Sequence, residues 1–103
     1  MEIKSLKSLL ADHGVSFDAN TIMNALIKAG HAENHEYPST TGNGVMKSFK
    51  RLTEAGERFG ANKSTMHPFK TEPRFYEETF TELLQVVVSQ LQHEVSSLRS
   101  MAE

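Results

Sequence analysis

The sequence has no cysteine. Disulfides and thiolate metal sites are therefore excluded, and the composition agrees with a reducing compartment. Long apolar runs are missing too. No stretch approaches the length of about eighteen residues that a membrane span needs, so no membrane association is expected. The opening segment, "MEIKSLKSLLADHG", carries charges throughout and lacks a small-residue cleavage site. It does not read as a secretory signal, and a cytoplasmic location is expected. There is no internal repeat and no low-complexity tract.

Catalytic patterns are also lacking. No G-x-S-x-G elbow is present to expose a nucleophilic serine. "TTGNGVMKS" contains glycines but no Lys-Ser/Thr directly after the second one, and no helix follows it, so it is not a phosphate-cradling loop. His31 and His35, with Glu33 and Glu36, have the composition of a metal site. An H-x-x-x-H pair aligns its rings only on a helix, however, and Gly30 closes the helix just before it; no third ligand is evident. His13, His67 and His93 stand alone. The expectation is a protein that is not an enzyme and binds neither metal nor cofactor.

What is present is a chain of 103 residues, enough for one modest core. Its net charge of −2 is unevenly spread. Residues 1–42 carry three Lys against five acids, residues 43–74 seven Lys/Arg against three, and residues 75–103 one Arg against five. A basic middle beside an acidic tail suggests one surface for an anion and a separate task for the tail.

The helical signals come first. In "SLKSLLADHG", Leu6, Leu9 and Leu10 recur at helical spacing, Ser5 is the candidate N-cap and Gly14 the stop. "ANTIMNALIKAG" reads as a second helix, capped by Asp18 and closed by Gly30. Its apolar face is Ile22, Ala25, Leu26 and Ala29, and Asn20, Asn24 and Lys28 form a row on the other side with Thr21 beside it. That row has hydrogen-bonding groups and no acid.

A hairpin follows, with arms "HAENHEYP" and "VMKSFKRLT" and the turn residues Gly42-Asn43-Gly44. Pro38 implies an edge or the end of a strand. Phe49 and Leu52 fall on opposite phases, so the strand ends near Lys50 or contains a bulge. Thr53 is expected to cap a short helical turn, "EAGERFG", that ends at Gly60. "ANKSTMHPFKTEP" reads as an ordered loop pinned by Phe69 and Phe75. Thr79 and Glu82 match a capping box, so a helix begins at about Phe80. Along it, Phe80, Leu84, Val87, Leu91, Val95 and Leu98 make a heptad-like seam with one four-residue step out of phase. Val86 to Val88 broaden the apolar face, so this helix could touch its own core on one side and a partner on the other.

Helix, turn, helix, hairpin with a polar tip and further helix is the order of a winged-helix module. Residues 5–60 resemble the small winged-helix-like modules of phage regulatory and antirepressor proteins, through Leu26 and Gly30 at the end of the second helix and Leu52, Thr53 and Gly56 after the hairpin. The expected fold class is mainly α (α+β), a winged-helix-like helix-turn-helix with a β-hairpin wing and a long C-terminal helix. Residues 1–72 would form that domain and residues 73–103 a dimerisation helix. The resemblance implies DNA binding or regulatory protein contacts, and no cofactor.

On that architecture Asn20, Thr21, Asn24 and Lys28 would read bases, since Asn pairs bidentately with adenine and Lys meets guanine or phosphate. Ser39, Thr40, Asn43, Lys47, Lys50 and Arg51 would lie on the phosphate backbone, joined by Arg58 and Lys63. Strand alternation puts Lys47 and Arg51 on one side and Lys50 on the other. Two functions follow. One is a homodimeric DNA-binding transcriptional regulator of phage type, with double-stranded DNA as its partner. The other is a protein-binding module that does not touch DNA, such as an antirepressor or an inhibitor of a host defence complex, with a host or phage protein as its partner. An exposed acidic tail would favour the second.

Overall fold

The computed structural model describes residues 3–39, 44–67 and 69–102. In chain order the elements are β1 (Ile3–Lys4), α1 (Leu6–Asp12), α2 (Ala19–Lys28), β2 (Ala32–Pro38) and β3 (Met46–Leu52). A 3-10 turn at Glu54–Gly56 follows, then β4 (Gly60–Ser64), β5 (Thr71–Tyr76) and α3 (Phe80–Ala102).

The caps of α1 and α2 form where polar side chains and glycines allow. Ser5 Oγ accepts from the Ser8 N–H at 3.2 Å, and Asp18 Oδ1 from the Thr21 N–H at 2.7 Å. The bonds from Thr21, side chain and backbone, hold the Asp18 carboxyl below its ordinary value. Both helices close in the same way. Gly14 and Gly30 take φ values of +62° and +87°, and the N–H of the residue after each returns to a carbonyl in the last turn: Val15 to Leu10 at 3.0 Å, His31 to Leu26 at 2.8 Å.

β2 and β3 pair antiparallel without a bulge, from Ala32 opposite Leu52 to Pro38 opposite Met46. The opposite phases of Phe49 and Leu52 therefore mark two buried faces rather than a break. Ala32 and Leu52 enter the main core, while Phe49 lies on the other face against His35 and Tyr37. Gly44 has φ +69°, and the Ser39 N–H donates to the Val45 carbonyl at 2.9 Å beyond the last pair. Gly42 and Asn43 lie outside the described residues.

The winged-helix expectation is overturned here. Among the described residues the fold is α+β, with three helices, a two-stranded sheet β2–β3 and a three-stranded antiparallel sheet in the order β1-β5-β4. Two of those last strands overlap the ends of the segment expected to be a loop, and the third precedes α1. The segment "ANKSTMHPFKTEP" lacks alternation because β4 and β5 bury little besides Gly60 and Phe75. Pro73 fits within β5 because β1 pairs only with Phe75 and Tyr76, which leaves one side of the strand open at Pro73. β5 also runs across residue 72, and the first turns of α3 belong to the same core as α1 and α2.

That core is centred on Leu9, Ile22, Leu26, Phe59, Phe75, Leu83 and Val87, all with essentially no exposed surface. Each such side chain stabilises the fold by roughly 1.5–3 kcal/mol of apolar transfer. Phe69, expected to pin the loop, instead stacks near Tyr37 at 6.3 Å and stays half exposed. Tyr37, Phe49, His67 and Phe69 form a second, smaller cluster between the hairpin and the β4–β5 connection.

Candidate interaction surface

The short joint after the hairpin gathers the residues that carried the resemblance. The Thr53 hydroxyl donates to the Gly30 carbonyl at 2.7 Å and its N–H to the His31 carbonyl at 3.0 Å. Thr53 thus closes the end of α2 and makes no side-chain cap on its own turn, contrary to expectation. Gly56 lies so close that a Cβ there would stand 2.0 Å from the His31 carbonyl oxygen. Beside it, His31 Nδ1 sits 3.2 Å from the Ala55 carbonyl, and its ring meets Phe59 edge-on at 5.3 Å. His35 meets Phe49 edge-on, and the exposed His13 meets Phe80 with its Nε2 3.7 Å from Glu77 Oε1. Among the described residues no group of three or more His, Cys, Asp or Glu could hold a metal ion.

The residues expected to read DNA are scattered in their roles. Asn20 and Asn24 are exposed on α2, and Thr21 is half-buried at the Asp18 cap. Lys28 is exposed, but its ammonium is bonded to the Glu94 carboxylate of α3. The acidic tail therefore neutralises the one cation of that helix face. On the hairpin, Lys47 is exposed, and Lys50 and Arg51 are half-buried. Arg51 donates to Glu33 at 2.7 Å, and Lys47 shares its face with Glu33 and Tyr37 while Lys50 lies on the opposite one. Arg58 lies over the Phe59 ring at 4.5 Å, and Arg74 pairs with Glu72 at 2.9 Å. Lys63 is exposed on β4 and Ser39 is half-buried. Thr40 and Asn43 lie outside the described residues.

α3 carries the most continuous surface feature. At 23 residues it extends about 35 Å, and only its first half is fully clasped by the body. It starts at Phe80 as the sequence implied, yet the Thr79 hydroxyl is buried without a hydrogen-bond partner, so the capping box does not form. Phe80, Leu83 and Val87 face inward. This removes Phe80 and Val87 from the expected seam: they fill the chain's own core. Leu84 and Leu91 lean on that core from its margin. Val95 and Leu98 are 49% and 65% exposed, as is Val88 at 49%, a residue the expected seam omitted.

The out-of-phase step now has a cause: the helix carries two apolar stripes. Phe80, Leu83 and Val87 form the inner one. Leu84, Val88, Leu91, Val95 and Leu98 form the outer one, at spacings of 4, 3, 4 and 3. Thr81, Leu84, Gln85, Val88 and Ser89 line a shallow open groove at its upper end. A strict 3.5-residue period is the signature of a helix that packs along another helix. The signal was available in the sequence but was masked by Val86 and Val87.

Among the described residues no helix is long and apolar enough to cross a membrane. A scan of protein-family models and searches of curated proteins and of solved structures returned no match to the chain.

Proposed function

We propose that this chain is a non-enzymatic protein-interaction module whose working surface is the outer stripe of α3, docking against a helix of its partner. The observation that carries the reading is the heptad-spaced, exposed row Val88, Val95 and Leu98, continued by Leu84 and Leu91. Apolar side chains contribute nothing to stability while they stand in water, so a regular row of them marks a surface with a partner to meet. The duplex-binding reading has weaker support. Lys28, Arg51 and Arg74 each have an acidic neighbour, which reduces the charge available to phosphate. Its remaining support is the exposed pair Asn20 and Asn24 with Lys47 and Lys63.

The test is a triple variant, V88Q/V95Q/L98Q, compared with the natural chain by thermal unfolding at a concentration where light scattering gives both as monomers. Glutamine keeps helix propensity and removes the apolar row. A docking surface predicts a midpoint within a degree or two of the natural one, because these side chains are about half exposed or more in the isolated fold. A drop of several degrees would assign the stripe to the chain's own packing and overturn the reading. Anisotropy of labelled random duplex DNA at two salt concentrations provides the other arm. Binding that weakens steeply with salt would favour the nucleic-acid function.

A further inference from the structure

Resting on the helix-docking reading, we infer that the partner is a second copy of this chain, joined in parallel and in register along α3. The side-chain types of the stripe select this partner. When the outer stripe is placed on a heptad, Val88 and Val95 fall at the a positions and Leu84, Leu91 and Leu98 at the d positions. β-Branched residues at a with leucine at d are the combination that favours two parallel strands, because each shape fits the side-chain geometry of its layer.

The flanking positions give the same answer. Glu94 is the g residue of its heptad and Arg99 the e residue of the next. In a parallel pair, g meets the e′ position five residues on, so Glu94 faces the partner's Arg99, twice by symmetry. Glu94 gives Oε1 to Lys28, which leaves its second oxygen for that contact. The other e residues toward the partner are Gln85 and Gln92, and the g residue Val87 is buried in the chain's own core, so no like charges meet. In an antiparallel pair, where a packs against d′, g meets g′ and e meets e′, so Glu94 and Arg99 are not brought together. Arg99 is the one Lys or Arg after Arg74, and the parallel register is the arrangement that uses it.

The absence of native cysteine permits a clean test with the full chain. The V95C and V88C variants each place a thiol in an a layer, where parallel in-register copies meet themselves. Expected are a light-scattering mass of twice 11.5 kDa at the upper end of a concentration series, and rapid disulfide linkage of both variants under mild oxidation. R99E should weaken the dimer about three- to tenfold at low salt, since Glu94 then faces a glutamate. A dimeric mass in which V88C and V95C do not both link would overturn the parallel register while keeping helix docking; antiparallel copies with a against d′ separate one or other pair of thiols by about 15 Å along the axis. A monomer throughout the series would overturn the second copy as partner. The docking reading itself would then stand or fall on the V88Q/V95Q/L98Q unfolding midpoint.

Discussion

Asn62 reaches from β4 to Leu52 at the end of β3 and pairs with both of its backbone polar groups. Its Oδ1 accepts from the Leu52 N–H at 2.9 Å and its Nδ2 donates to the Leu52 carbonyl at 3.0 Å. One side-chain amide thus does what a strand neighbour would do, and it ties the two-stranded sheet to the three-stranded one. N62A should lower unfolding free energy by about 1–2 kcal/mol, since it strands a donor and an acceptor beside a buried leucine. N62D should be no better, because a carboxylate cannot donate to the carbonyl. Urea titration, with amide exchange read at Leu52, checks both.

The joint at Gly56 and the pairing at Gly60 leave no room for a methyl group. A Cβ at either would stand 2.0 Å from a backbone oxygen, of His31 and Arg74 respectively. G56A and G60A should each cost more than about 3 kcal/mol, because backbone must move. G44A meets open space and has only its φ of +69° to contend with. It should cost about 1 kcal/mol. Thermal midpoints will separate the two classes.

The two stripes of α3 make opposite predictions for the same substitution. L83A opens a cavity at a fully buried site and should cost about 2–5 kcal/mol. L98A, at a side chain 65% exposed, should change monomer stability by less than about 0.5 kcal/mol. Comparable losses from the two would mean that the outer stripe is not free.

Acid should weaken the start of α2. The Asp18 carboxyl is held below its ordinary value of 3.8 by Thr21. A depressed folded-state pKa contributes stability above the unfolded pKa, and that contribution is lost as pH falls through the folded value. The D18N variant, which still caps, should lack this component below about pH 4. Helicity followed by circular dichroism from pH 6 to pH 2, natural chain against D18N, reads the difference.

Local chemistry was legible wherever a single residue dictates a backbone state. Ser5, Asp18, Gly14 and Gly30 marked the ends of α1 and α2, and Gly44 with the alternating arms marked the hairpin. The three-stranded sheet was hidden because its strands contribute few inward side chains: Phe75 is the large one, and Ala61, Lys63 and Ser64 follow no apolar period. β4 and β5 pair with each other across residues 65–70 and β1 with a segment far along the chain, through backbone bonds that no apolar pattern encodes. The outer stripe of α3 lay in plain spacing, but only its exposure separates it from the inner stripe, and exposure depends on what α1, α2 and β5 cover.

β1 has a further consequence for how the chain is made. Ile3 and Lys4 find their ladder partners at Tyr76 and Phe75, roughly 70 residues downstream. On a ribosome adding about 5–20 residues per second, that strand waits on the order of 4–15 s for its mate. The helical pair and the first hairpin can close from neighbouring residues during synthesis. The small sheet is completed only after β5 is made, as the first turns of α3 emerge.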